Sequence, residues 1–332
     1  MAVTLRDIAK HLGISHATVS FVLNNRLDMG ITEATRQRVL IAAQELGYKP
    51  NRAARALTTG RTDMFAVCMP ASPSPFHHAL LSGIQSAMGA TEYELVVWQP
   101  SRESFASKRP AELNVDAYIS LGTDVDNAMF TNDDGIRKPG IHFGYSRREG
   151  WDNVVADLAP ASVEAFQRMI NIGCRRIAYL RPKTDRPPTD GLYQTFRQLK
   201  TTPGISTEEI ICPSDDRASA MAAITAYADK WDAPDGIVCA SDHLAIAAKR
   251  ALSERGIRTP NDVAIVGCGG IEEAEYSWPP LSTISQPTDE IGKTLWEFLL
   301  HRLEWPTDQP QTKTFQAQFI QRESTSGLKK KR

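Results

Sequence analysis

Thr4-Leu5-Arg6-Asp7-Ile8-Ala9-Lys10-His11-Leu12-Gly13-Ile14-Ser15-His16-Ala17-Thr18-Val19-Ser20-Phe21-Val22-Leu23-Asn24 carries two hydrophobic rhythms separated by one glycine. Leu5, Ile8, Ala9 and Leu12 stand at i, i+3, i+4 and i+7, the spacing of one buried helix face. Thr4 precedes that helix as an N-cap, with Asp7 three residues on. Gly13 makes a tight turn, Ser15 caps a second helix, and Val19, Val22 and Leu23 form its inward face. His16, Ala17, Ser20, Phe21 and Asn24 then face outward. A short helix braced by a partner, with small and polar residues outside, has the geometry that enters a DNA major groove. Spacing alone leaves a second reading open, an ordinary helical hairpin inside a core.

Downstream, a third helix starts at Thr32 and runs through Val39, Ala42, Ala43 and Leu46 to a stop at Gly47. Glu33 lies in its first turn, where a carboxylate complements the helix dipole. Pro50 and Asn51 open a further short helix that Gly60 ends. Its one large apolar residue is Leu57, and isolated helices shorter than about 12 residues are marginal in water.

Charge divides the chain. Residues 1–61 hold nine cations (Arg6, Lys10, Arg26, Arg36, Arg38, Lys49, Arg52, Arg55, Arg61) against Asp7, Asp28, Glu33 and Glu45, a net +5, although the whole chain carries −1. A basic head on an acidic body suits polyanion binding by the head, with affinity falling steeply as salt rises. The Lys329-Lys330-Lys331-Arg332 tail reads as a solvated terminus.

At 332 residues the chain is expected to hold two or three domains. With 42% hydrophobic and 23% charged residues it has the composition of a globular protein, and no apolar run approaches the ~18–20 residues of a membrane span. The start runs straight into a charged amphipathic helix, so no signal peptide is expected. Cys68, Cys174, Cys212, Cys239 and Cys268 form no CxxC pair and read as reduced core residues.

From Thr62 short apolar runs alternate with amphipathic helices. Strands are expected at 65–69, 94–98, 117–121, 140–143, 176–180, 236–239 and 263–266, and helices at 77–88, 162–172, 218–228 and 242–255. Such alternation implies parallel sheets, and the strand number fits two Rossmann-like subdomains. Ligands in these folds bind beyond the carboxyl ends of strands.

Enzyme readings find little support. Val266-Gly267-Cys268-Gly269-Gly270 would need glycine at Glu272 to complete GxGxxG, and there is no P-loop or GxSxG. His77 and His78 are adjacent rather than four apart, so they do not offer two ligands on one helix face. No catalytic residue, cofactor or metal is expected.

The block from Thr4 to Asn24 resembles the helix-turn-helix of the lactose-repressor (LacI/GalR) family, whose pattern is T-x-x-D-V-A-x-x-A-G-V-S-x-x-T-V-S-R-V-L-N. The similarity continues through Thr32–Leu57 and, more loosely, to Phe319. It implies an all-α helix-turn-helix head at 1–49, a hinge helix and linker at 50–61, and an α/β body like periplasmic binding proteins at 62–332. The body's N-subdomain would span about 62–157 and 289–315, its C-subdomain about 158–286 and 316–328. The chain would cross between them near Asp157, near Gln286–Asp289 and near Phe315–Phe319.

Carried onto this sequence, the resemblance implies a transcription regulator, a repressor, acting as a homodimer on a near-palindromic duplex operator; a tetramer is not expected. Ser15, Thr18, Ser20 and Asn24 would hold phosphates, with Thr4 and Leu5 at the first helix. His16, Ala17 and Phe21 would face bases. Asn51, Arg52, Arg55 and Leu57 would form the hinge, with two Leu57 copies wedged into a central minor-groove step. A small effector would sit between the subdomains against Ser72, Phe76, Tyr145, Asp157, Leu192, Phe196, Asp242 and Gly269. Such a protein is expected in the cytoplasm, at the nucleoid. A solute receptor would share the body but has no use for the head, and a Rossmann-type enzyme lacks its motifs.

Several positions depart from the family. Phe21 replaces the recognition-helix arginine, His77 the second phenylalanine of N-P-F-F, and Ser241 the asparagine of A-N-D. Gly144-Tyr145 stands for an Asp-Arg pair, Leu192 and Thr195 for the arginine and glycine of R-x-x-G-F, and Gly269 for an aspartate. With Phe76, Tyr145, Leu192, Tyr193, Phe196 and Trp278 the cleft is expected to be more apolar and aromatic, which implies an effector less hydroxylated than a simple sugar, or none.

Overall fold

A computed structural model describes residues 3–24, 26, 29–48, 56, 59–100, 109–122, 127–135, 137–184, 188–229 and 234–328. The chain divides into two compact units, 1–62 and 63–332.

The first unit is built on three helices, α1 (Leu5–Leu12), α2 (His16–Leu23) and α3 (Glu33–Glu45). Asp7 reaches back to Thr4, accepting from its backbone N–H at 2.8 Å and its hydroxyl at 2.7 Å. Gly13 ends α1 at φ +65°, a left-handed conformation that glycine adopts without steric cost. Ser15 Oγ accepts the Thr18 N–H at 3.0 Å and Thr32 Oγ1 the Thr35 N–H at 3.3 Å, so each later helix begins on its own cap. Ile8, Val19, Val22, Val39 and Ala42 fill the interior.

The second unit holds two six-stranded sheets. Sheet 1 contains β1 (Met64–Cys68), β2 (Glu94–Trp98), β3 (Ala117–Leu121), β4 (Gly140–Gly144), β5 (Asp152–Asp157) and β11 (Thr312–Gln316), in the order β11-β5-β4-β3-β1-β2. Sheet 2 contains β6 (Arg176–Pro182), β7 (Ser206–Cys212), β8 (Gly236–Cys239), β9 (Ala264–Gly269), β10 (Ser282–Ser285) and β12 (Gln318–Ile320), in the order β12-β10-β9-β8-β6-β7. Within the two sheets the pairings are parallel, as expected, except for the edge strand β12, which runs antiparallel to β10.

Helices α4 (Pro75–Met88) and α10 (Thr288–Glu304) pack together on sheet 1; α5 (Ala159–Asn171), α6 (Gly191–Gln198), α7 (Arg217–Asp229), α8 (Asp242–Ser253) and the single turn α9 (Glu273–Tyr276) belong to sheet 2. The chain passes between the sheets three times: from β5 into α5, from β10 into α10, and from β11 into β12. Three strands therefore serve as covalent hinges of one cleft. Among the described residues no helix is long and apolar enough to cross a membrane.

Candidate DNA-reading head and ligand cleft

On α2 the side chains of His16 and Ala17 are exposed and those of Ser20 and Phe21 half-buried, opposite the buried Val19 and Val22. Ser15 Oγ and Thr18 Oγ1 are 2.8 Å apart, and Asn24 Nδ2 donates to Ser20 Oγ at 3.2 Å. The polar groups of this face thus bond one another in the free protein. Thr4 is exposed, whereas Leu5 is half-buried against the head's core. Two arginines not singled out from sequence brace the motif: Arg38 donates to the Leu12 carbonyl and Arg36 to the Arg26 carbonyl, each at 3.4 Å. Asn51, Arg52, Arg55 and Leu57 lie outside the described residues, as does the tail at 329–332. The hinge segment's described end shows Gly60 at φ +70°, its N–H on the Ala56 carbonyl at 2.8 Å.

In the body a cavity of about 180 Å³ opens at the carboxyl ends of the strands, where Tyr145 after β4 and Leu158 at the first crossing meet Tyr179, Arg181, Asp190 and Leu192. Two of the expected contact residues, Tyr145 and Leu192, are in its wall. Tyr145 is 42% exposed as a residue, and desolvation of its hydroxyl raises its pKa. Gln286, at the second crossing, lies beside that hydroxyl, and its buried amide has no other partner among the described residues.

Other expected contacts sit elsewhere. Phe76 is buried 6.0 Å from Phe143, in the core between the sheets. Ser72 is exposed after β1. Asp157 accepts the Ala159 N–H at 3.0 Å and so sets the first crossing. Gly269 closes β9 at φ +131°, a conformation that disfavours the aspartate found there in the family.

Two expectations are corrected outright. Phe196 is fully buried and stacked on Tyr179 at 5.0 Å; an aromatic at helical spacing became core. Asp242 is 1% exposed, and its oxygens accept from Gly270 N–H at 2.6 Å, Ile271 N–H at 2.9 Å and Thr283 Oγ1 at 2.6 Å. Burial raises its pKa against those donors, and the group ties β9's exit loop to β10 instead of meeting a ligand. Gly267 makes room for it, since a Cβ there would lie 2.1 Å from Asp242 Oδ1. The cleft roll also loses Tyr193, which is 4% exposed with its hydroxyl on Glu209, and Trp278, which stands 86% exposed.

His77 holds a different environment from the phenylalanine it replaces. Its Nδ1 accepts the Ser74 N–H at 3.1 Å and lies 2.8 Å from Ser74 Oγ. Burial pushes the imidazole down to about 4 despite the Asp215 carboxylate, so the ring is neutral at pH 7. Among the described residues no His, Cys, Asp or Glu group could hold a metal.

Two family patterns match this chain. That of the bacterial regulatory proteins of the lacI family covers residues 4–51, and that of the periplasmic binding protein-like domain covers residues 166–325. The chain is 29% identical to the HTH-type transcriptional regulator CelR of Thermobifida fusca, over 97% of this chain and 98% of that one. It is 26% identical to the HTH-type transcriptional repressor PurR of Erwinia tasmaniensis, over 97% of each. Its fold matches that of the lac repressor dimer bound to operator and the anti-inducer ONPF, with TM-score 0.79 and 21% identity over 98% of this chain and 99% of that one. Head and body patterns occur here in one chain, and relatives carrying both functions align along nearly its full length. The chain joins the helix-turn-helix of the lacI family of bacterial regulatory proteins to a periplasmic binding protein-like domain, and it is a transcription regulator.

Proposed function

We propose that this protein is a cytoplasmic, nucleoid-bound repressor that grips a near-palindromic operator as a homodimer and responds to a small effector in the cleft. The observation that carries this is α2: a capped, internally braced helix that offers His16, Ala17 and Phe21 outward on a head of net charge +5. Ser15, Thr18, Ser20 and Asn24 would exchange their mutual hydrogen bonds for phosphate oxygens, which position the helix without reading sequence. Asn51, Arg52, Arg55 and Leu57 would order as a hinge on the minor groove. The effector would bias the angle between the two sheets about their three crossings, and that bias is reciprocal with operator affinity. Selection from random duplex DNA tests the reading. A palindrome of two half-sites is the expected winner; enrichment of no palindrome would sink it.

Tyr276 and Trp278 would anchor the homodimer. Tyr276 and Trp278 are 78% and 86% exposed at the end of α9, and large exposed aromatics are unusual on a free surface. Lys249 is 7% exposed and donates to Ser277 Oγ at 2.8 Å and to the Pro279 carbonyl, so the loop between the two aromatics is fixed from within. Trp278→Ala is expected to weaken self-association at least tenfold, read by sedimentation, with little change in thermal midpoint at high concentration. A variant that dimerises like the parent would remove Trp278 from the interface.

A further inference from the structure

We propose that the ligand the cleft takes is a primary ammonium on a small apolar frame, an aliphatic or alicyclic amine, with Asp190 as its counter-ion. The inference rests on the reading of this cavity as the effector site and adds its chemistry. Asp190 caps α6: its Oδ1 accepts the Tyr193 N–H at 3.0 Å, and its remaining hydrogen bonds also come from backbone N–H groups at that helix start. Among the described residues no cation faces it. The one guanidinium in the cavity wall, Arg181, is held by Glu209 at 2.8 Å and lies over the Tyr193 ring at 5.6 Å. Partial burial raises the Asp190 pKa against its backbone donors, as expected of a carboxylate partly withdrawn from water with no counter-charge beside it.

The rest of the wall narrows the choice. Tyr145 and Tyr179 line the same cavity as Asp190, and Asp190 is among the charges acting on both hydroxyls. An ammonium has three N–H donors and no acceptor. Asp190 and the two tyrosine oxygens supply three acceptors for it. Leu158, Pro182, Pro188 and Leu192 leave an apolar surface for the carbon frame. A polyol would leave most of its hydroxyls against that surface, and an anion would meet Asp190 with no free cation among the described residues to offset the repulsion. At about 180 Å³ the cavity lies below the 300–1,000 Å³ usual for drug-sized ligands, so the frame is small.

Cyclohexylamine and cyclohexanol share one ring and differ chiefly in charge. Calorimetry and thermal shift on the full-length protein at pH 7.5 should show the amine binding at least tenfold more tightly than the alcohol. Asp190→Asn should erase that preference while keeping the fold, because asparagine caps a helix about as well as aspartate. Equal binding of the alcohol, tighter binding of glucose than of the amine, no stabilisation by the amine, or an amine preference that survives Asp190→Asn would each overturn the inference. Operator selection is scored separately. If a palindrome is still enriched, the regulator reading stands while the ligand inference falls; if amine binding is seen without any enriched operator, the reverse holds.

Discussion

Alanine in place of Arg302 is expected to lower the unfolding free energy of the body by about 3–5 kcal/mol, the usual cost of orphaning one partner of a buried ion pair. Arg302 ends α10, and Asp152, whose side chain is 0% exposed, begins β5. The pairing is bidentate, Nε to Oδ2 at 2.7 Å and Nη2 to Oδ1 at 2.9 Å. The same guanidinium donates to the carbonyls of Pro306 at 3.2 Å, Asp308 at 2.6 Å and Gln309 at 3.2 Å, and Asp152 Oδ1 also accepts the Gln311 N–H at 2.6 Å. One side chain therefore fixes the helix, the connector and the entry to β11, the strand that leads into the third crossing. Alanine would leave a buried carboxylate with one backbone donor and several carbonyls with none. Arg302→Lys should recover only part of the loss, since a point charge cannot match the fork. Replacing the pair together, Arg302→Met with Asp152→Leu, should cost less than either single change, because no charge is then stranded. Urea unfolding followed by the buried Trp151 and Trp296 measures the parent, these variants and the two single changes. A loss below about 1 kcal/mol for Arg302→Ala would mean that water reaches Asp152 and that the pair behaves like a surface bridge.

The sequence exposed what is encoded locally and hid what three crossings assemble. The head was legible because Thr4, Asp7, Gly13, Ser15 and Thr32 act within four residues of their own positions, where caps and turn conformations are chosen. The interior strands β1 and β8 announced themselves as uninterrupted apolar runs, and β3 as one broken only by Ser120. Edge strands β7 and β11 escaped notice because Glu208, Glu209 and Lys313 give them polar faces, and β12 is only three residues long. Helix α10 buries Ile291, Leu295, Trp296 and Leu299, a periodic face that pattern reading could have found. The cavity was harder. Phe196 and Leu192 sit on the same short helix, yet one is core and the other wall, and nothing in their order distinguishes them. Tyr179 is one apolar residue of a buried strand until the fold brings Asp190 beside it. Asp242 entered the ligand set through its match to the family's A-N-D motif; here β10 and the Gly270 loop engage both of its oxygens.

Phe21→Arg is expected to install a guanine preference of about 1–3 kcal/mol at one position of each half-site, on the order of 5- to 150-fold in affinity ratio. Phe21 is on the outward side of α2, four residues after Ala17 and two before the helix ends, with Val22 beside it turned into the core. A phenyl ring has no donor for the O6 and N7 of guanine but can lie against a thymine methyl. An arginine at the same place can bond both guanine acceptors at once. The position is half-buried and arginine is the better helix former, so the exchange should leave the head folded. Its added charge will raise affinity for any duplex, which makes absolute affinity the wrong readout. The measurement is the ratio of dissociation constants for operators differing only at that base pair, parent against variant, at one salt concentration. Phe21→Ala is the control: it should weaken binding to the thymine-bearing site and create no preference for guanine. A strong guanine at that position in sites selected by the parent protein would show that some other side chain, His16 foremost because it is exposed one turn away on the same helix, reads the base instead.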